Sequence, residues 1–127
     1  MIIIGAWQNL QLGRSFLPAA RVMPRMRLSG IGAEYAEVVK SSTLVHELTL
    51  VEINGIPSWV SPNTRWLISG DPWEWVETSR LEIGSRVLSP EGAWSAVTGL
   101  GQYGCAPAVK IKTTPQRVRV LGGILHG

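Results

Sequence analysis

Cysteine, histidine and phenylalanine are scarce in this sequence of 127 residues, which has one cysteine, two histidines and one phenylalanine. Because Cys105 has no second cysteine to pair with, an intramolecular disulfide and a cysteine-rich zinc site are excluded. His46 and His126 do not form a His-Glu-x-x-His pair or a comparable ligand pair. We therefore expect no metal site and no cofactor, and we expect packing of the core to stabilise the fold.

Long hydrophobic runs are absent as well. Ile2, Ile3 and Ile4 form a short apolar start without a preceding basic region, and polar residues follow within a few positions. This pattern fits neither a signal peptide nor a membrane-spanning helix. We expect no membrane span and a location in the cytoplasm or inside a larger particle.

Acidic residues are missing from residues 1–33, which contain Arg14, Arg21, Arg25 and Arg27. The rest of the chain carries the other eight basic residues and all nine acidic residues, so it is nearly neutral. Prolines and glycines interrupt residues 1–33, which favours an extended or irregular basic arm outside the β core. Arginine matches carboxylates and phosphates, so the four arginines are candidate interface residues. The alternative is that they only solvate a surface segment.

Residues 34–127 show short strands separated by turn residues, with one strand in about every 8 to 12 positions, which is typical of an all-β sandwich or barrel-like domain. Asn54-Gly55 separates two such stretches and predicts a type I′ hairpin turn, because both positions tolerate positive φ. A strand is predicted over residues 36–40. We predict antiparallel pairs between residues 44–53 and 56–60, 65–69 and 73–77, 85–89 and 93–98, and 108–113 and 117–121.

Tryptophan is common, with six residues, against two tyrosines. Trp73 and Trp75 alternate, so in a strand they share one face. Aromatic side chains on one face can anchor a protein interface. We therefore name Trp7, Trp73 and Trp75 as candidate interface residues, with packing in the core as the alternative for each of them.

Several short motifs follow one another along the chain. They are Ser61-Pro62-Asn63-Thr64 after the predicted hairpin, Trp75 in a later strand, Ile83-Gly84-Ser85-Arg86-Val87-Leu88, and the ending Gly123-Ile124-Leu125-His126-Gly127. Their order resembles the Hint fold of hedgehog autoprocessing domains and inteins, which has a Thr-x-x-His motif, a tryptophan-containing strand, a Leu-x-x-Gly-Asp-x-Val-Leu segment and a Gly-Ile/Val-Leu-x-His-Asn ending. The run from Ser15 to Val22 is similar to the family's opening, where a Cys or Ser nucleophile precedes an apolar run. The resemblance implies an all-β, Hint-like compact domain of short antiparallel strands over residues 34–127, preceded by the irregular arm.

The sequence departs from the family at the positions that carry its chemistry. The family's Thr-x-x-His histidine binds the amide before the nucleophile and helps to shift the acyl group onto the nucleophile's side chain. Here Thr64 stands in its place, and threonine does not titrate near neutral pH. Ser15 lies inside the chain rather than at a cut end. The family's terminal asparagine is absent, and the ending is one residue shorter, which leaves the equivalence of His126 open.

These departures imply a catalytically silent Hint-like module with a structural or interaction role and no enzyme activity. We expect a small component of a larger assembly such as a phage tail or virion, with other protein subunits or further copies of the chain as partners. Nucleic acid is the less expected partner of the arginines and tryptophans. The alternative is a self-cleaving or splicing domain in which Ser15 is the nucleophile and Thr64 and His126 complete the site.

Overall fold

The computed structural model describes residues 1–69, 74–89 and 91–127, which fold mainly into β-strands. The strands are β1 (Ile2–Gly5), β2 (Asn9–Leu12), β3 (Ser15–Pro18), β4 (Arg27–Ser29), β5 (Tyr35–Ile53), β6 (Ile56–Val60), β7 (Arg65–Ile68), β8 (Glu74–Glu77), β9 (Arg86–Leu88), β10 (Trp94–Thr114), β11 (Arg117–Arg119) and β12 (Ile124–His126). The helical elements in these ranges are two single-turn 3₁₀ helices, Ala19–Arg21 and Thr78–Arg80. The predicted all-β class is confirmed.

Ten of the strands found in the described ranges form one antiparallel sheet in the order β11-β12-β7-β9-β10-β1-β6-β5-β4, with β8 paired to β7. β2 and β3 form a separate two-stranded ribbon. Two long strands organise the sheet, since β5 and β10 have 19 and 21 residues and pair with each other over most of their length. Their pairing shifts register at three points, and such bulges bend and twist a strand.

The long strands correct the prediction that all strands are short. Residues 36–40 and 44–53 are parts of β5, and residues 93–98 and 108–113 fall largely within β10. The predicted break inside β5 does not occur, because residues 41–43 pair with residues 109–111 and keep the strand continuous.

One hydrophobic core draws side chains from most of the strands, and Trp66 is its largest fully buried side chain. The Trp66 Nε1 donates to Thr78 Oγ1 at 3.0 Å, and Thr78 Oγ1 donates to the Thr64 carbonyl oxygen at 2.7 Å. The indole N–H is therefore satisfied inside the core, as a buried tryptophan requires. The same chain of hydrogen bonds fixes Thr64 at the start of β7.

Residues 1–33 contribute to this core, so the prediction of an irregular arm outside the core is wrong. They contain β1 to β4, and β10 and β6 flank β1 on both edges. Most of their glycines and prolines lie between strands, where they turn the chain without breaking a strand. Burial of a large aliphatic side chain is worth about 1.5–3 kcal/mol, which favours docking of this apolar segment. The side chains that it adds to the core are Ile2, Ile4, Leu10, Ala19, Val22 and Leu28.

Three of the four predicted antiparallel pairs are confirmed. Asn54 and Gly55 have φ of 49° and 80°, and Ile53 pairs with Ile56, so the two-residue turn is confirmed. β7 pairs with β8, and β9 pairs with β10, as predicted. Residues 70–73, where a turn and the start of a strand are predicted, and residue 90 lie outside the described ranges.

The predicted pair between residues 108–113 and 117–121 is wrong. Residues 108–113 belong to β10, and β1 and β5 already occupy both of its edges there. β11 pairs with β12 instead. Gly122-Gly123 therefore lies in the connection between the last two strands, β11 and β12.

Candidate functional site at the two chain ends

The first and last residues of the chain lie against each other. A Cβ added to Gly127 would stand 2.8 Å from the Met1 carbonyl carbon and 3.0 Å from the Met1 nitrogen, which is too close for any side chain. β1 holds one end between β10 and β6, and β12 holds the other between β11 and β7. The Gly127 N–H also donates to the Gln116 carbonyl oxygen at 3.1 Å. The sheet therefore fixes both ends at one place.

The turn from Ser61 to Thr64 binds the backbone of β1 beside this place. The Ser61 N–H and the Thr64 hydroxyl both donate to the Ile3 carbonyl oxygen, at 2.8 Å and 3.2 Å. The two hydroxyls of Ser61 and Thr64 are 2.8 Å apart and hydrogen-bonded, and both residues are buried. This arrangement holds β1 in position, but neither hydroxyl can carry a proton by titrating near neutral pH.

His126 lies opposite Arg65 of β7 and directly before Gly127. Its ring packs on the ring of Trp75, with centroids 4.8 Å apart and planes at 35°. Burial lowers the pKa of His126, and the positive charges of Arg65, Arg117 and the amino terminus act in the same direction, whereas the backbone of Gly127 opposes them. Its Nδ1 is buried and has no hydrogen-bond partner among the residues that the structure describes. The imidazole is therefore neutral at neutral pH.

Ser15 lies in a different sheet from these residues. It begins β3 in the β2–β3 ribbon, where it pairs with Leu12 and is exposed. Thr64 directly precedes β7, and His126 lies opposite the next residue, so the structure places the backbones of these two predicted residues near each other. Met1 also lies at this place, against Gly127, whereas Ser15 lies away from it in the β2–β3 ribbon. The position of Met1 could have been predicted from the apolar run of residues 2–4, because this run forms a central strand that begins directly after Met1.

The four arginines proposed as interface residues are exposed but do not form one arm. Arg14 lies in the turn between β2 and β3, and Arg21 ends the first 3₁₀ helix. Arg25 has a φ of 75° in the loop before β4, and Arg27 begins β4 opposite Glu37. They therefore lie on different elements of the folded domain.

Trp7 belongs to an aromatic cluster with Trp59 and Tyr103. The centroid of the Trp7 ring is 5.7 Å from that of Trp59 and 5.4 Å from that of Tyr103. Trp75 is half-buried against His126, and Trp73 lies outside the described ranges. Trp7 and Trp59 also line a groove of about 270 Å³, whose other apolar residues are Phe16, Ile56, Pro57 and Leu121.

No group of three or more His, Cys, Asp or Glu side chains that could hold a metal ion occurs in residues 1–69, 74–89 and 91–127. Within the same ranges, no helix has the length and apolar character needed to cross a membrane. The groups near the point where the chain ends meet include the main chain, the two bound hydroxyls of Ser61 and Thr64, the neutral imidazole of His126 and the lysines that line a cavity with Met1.

The chain superimposes over its full length on solved intein structures. A variant of the gp41-1 intein matches with a TM-score of 0.88 and 9% identity over 100% of both chains. A variant of the Ssp DnaB mini-intein matches with a TM-score of 0.84 and 14% identity, over 99% of this chain and 94% of that chain. An intein-like domain from Clostridium thermocellum matches with a TM-score of 0.86 and 14% identity, over 100% of this chain and 99% of that chain. The chain has the intein-like Hint fold.

The Hint fold that the motifs predict is therefore confirmed. No family model matches the sequence, and no curated protein matches it. At 9% to 14% identity the likeness establishes the fold alone. One fold can carry different activities, so the activity of this Hint fold has to be argued from its own residues.

Proposed function

We propose that this Hint-fold chain is catalytically silent and serves as a structural or interaction module, a small component of a larger assembly such as a phage tail or virion. The observation that carries the proposal is the composition of the site at the chain ends. There Met1 adjoins Gly127, and Thr64 is bound to the backbone of Ile3.

Met1 offers no nucleophile at this place. Acyl transfer from an amide to a side chain forms an ester or thioester, and the hydroxyl or thiol that attacks gives its proton to the departing amide nitrogen. The thioether of methionine has no proton to give. Acylation of its sulfur would leave a sulfonium cation, so Met1 cannot act as the nucleophile in the first step of the family's chemistry.

The residues at the positions of the family's later motifs do not supply the later steps. Thr64 is buried and bound to Ser61 and to the Ile3 carbonyl oxygen, and its hydroxyl does not titrate near neutral pH. Gly127 has no side chain that could attack its own carbonyl group. His126 is a neutral imidazole and could accept a proton, but neither Met1 nor Gly127 presents a side-chain proton for it to accept.

An exposed apolar surface supports the role in an assembly. Three residues of the groove beside the aromatic cluster are well exposed, namely Trp7 at 36%, Phe16 at 44% and Leu121 at 54%. Contiguous exposed apolar residues mark protein interaction sites, and tryptophan is enriched among the residues that contribute most to binding. The partners proposed for this surface are other protein subunits or further copies of the chain.

The mass of a fusion protein tests the catalytic part of the proposal. The chain is placed between two stable domains, so that Met1 and Gly127 are both in peptide bonds, and is incubated with hydroxylamine, which captures esters and thioesters. We expect the precursor to keep its full encoded mass, and the Ser15→Ala variant to behave in the same way. Cleavage that Ser15→Ala abolishes would establish the self-cleaving alternative, and cleavage that persists in Ser15→Ala would reveal another nucleophile. Either result contradicts the proposal.

A further inference from the structure

Three lysines lie side by side on the sheet next to Met1. Lys40 of β5 is the direct cross-strand partner of Lys112 of β10, and Lys110 is the partner of Ser42 on the same two strands. Opposite residues of an antiparallel pair project to the same face, with Cβ atoms about 4.5–5.5 Å apart. Residues two apart on one strand also share a face. All three lysine side chains therefore start from one small area of the sheet.

No acidic side chain neutralises this area in the part of the chain that the structure describes. The pair between Arg117 and Glu34 is the one ion pair found there, and none of the three lysine ammonium groups has a hydrogen bond. Like charges directly opposite each other destabilise a β-sheet. The free protein therefore retains a repulsion between Lys40 and Lys112 that a bound anion would relieve.

The lysines line a small cavity together with Met1 and Ser42. Its volume is about 70 Å³, which is several times the roughly 10–15 Å³ that a cavity needs to hold one water molecule. The cavity therefore has room for a small polyatomic ion. Each lysine can donate up to three hydrogen bonds and Ser42 can donate one, so the lining is rich in donors.

We propose that this cavity binds a tetrahedral oxyanion of the phosphate class, either as a free ion or as the phosphate group of a larger molecule. A phosphate concentrates its negative charge and several acceptor oxygens on one centre, and lysine binds such groups as a point charge. A carboxylate has one charge and two oxygens, which matches three ammonium groups less well. The inference does not depend on the proposed catalytic silence, because the binding groups are the side chains of Lys40, Lys110, Lys112 and Ser42.

Titration with sodium phosphate at constant ionic strength, followed by backbone amide NMR shifts, tests the site. We expect saturable shifts centred on residues 40–42 and 110–112. Lys40→Gln combined with Lys112→Gln should weaken binding by about tenfold or more, since it removes two charge-assisted contacts. Arg14→Gln combined with Arg21→Gln removes the same charge from exposed positions outside the cavity, and should change the affinity by less than about twofold.

A second titration with glycerol phosphate distinguishes the two sources of the oxyanion. Tighter binding of inorganic phosphate supports a free ion as the ligand, and tighter binding of the ester supports the phosphate group of a larger molecule. The lysine double variant should stay folded, because it removes a repulsion, and Lys110→Gln replaces it if circular dichroism shows otherwise. The proposal is overturned if neither probe binds saturably, or if the arginine variant loses as much affinity as the lysine variant.

Discussion

Gly123 packs directly against the indole ring of Trp66. A Cβ at this position would stand 2.6 Å from Trp66 Cζ3 and 2.9 Å from Cε3. The ring has little freedom to move, because it is fully buried and its Nε1 is bonded to Thr78. We expect Gly123→Ala to lower the free energy of unfolding by about 1–3 kcal/mol through overpacking.

Urea unfolding followed by tryptophan fluorescence measures this change. Gly101→Ala is the matched control, because no atom lies within 4 Å of a Cβ placed at Gly101. It should shift the free energy of unfolding by no more than about 1 kcal/mol. If both variants are equally stable, Trp66 is not held as tightly as its burial and hydrogen bond imply.

His126 couples the stability of the fold to pH. Folding lowers its pKa, so the unfolded chain, with a histidine pKa of about 6.5, binds a proton at a higher pH than the folded chain does. The stability that the neutral imidazole contributes is therefore fully present above about pH 6.5, and it is lost as the pH falls from there towards the folded-state pKa. We expect the free energy of unfolding to fall more steeply between about pH 7 and 5 in the parent than in His126→Gln.

Urea unfolding at a series of pH values gives the two slopes. Other groups that titrate in this range are present in both proteins, so the difference between the slopes isolates His126. Equal slopes in the parent and in His126→Gln would contradict the burial described for this side chain.

At the scale of the element, a test on β1 decides whether this segment is a strand of the core or a detachable arm. Ile4 is fully buried, whereas Phe16 of the β2–β3 ribbon is 44% exposed. We expect Ile4→Ala to lower the free energy of unfolding by about 2–5 kcal/mol. Phe16→Ala should lower it by less than about 1 kcal/mol, as a surface substitution does. Chemical denaturation of both variants measures the difference, and similar small losses would mean that β1 docks too loosely to be a core strand.

Elements closed by a local turn could be predicted from the sequence, whereas elements with distant partners could not. Asn54-Gly55 fixes the β5–β6 hairpin through its own preference for positive φ. The partner of β11 depends on which edges of β10 are still free, and that is decided by β1, more than a hundred residues earlier in the chain. The three isoleucines of β1 are compatible with either a buried strand or a docked arm. The pairing of β1 with β6 and β10 decides between the two, and the local sequence does not show that pairing.

At the scale of the whole molecule, the order of the motifs was enough to predict the Hint fold but not the complete site. The motifs point to Thr64, which directly precedes β7, and to His126, which lies on the neighbouring β12. Ser15 was chosen because the run after it resembles the family's opening, yet it lies in the ribbon. The contact between Met1 and Gly127 arises from pairings across the length of the chain, and no local pattern encodes such pairings.

Because Met1 and Gly127 meet, the polypeptide enters and leaves this domain through a single point on its surface. A host protein whose loop were interrupted there would keep the two stems of that loop side by side. The domain's own sheet would already hold the two ends together. Closing the host loop that contains the domain would therefore cost the host little conformational entropy. A domain with this geometry can be gained or lost by a larger chain without rearranging that chain's own fold.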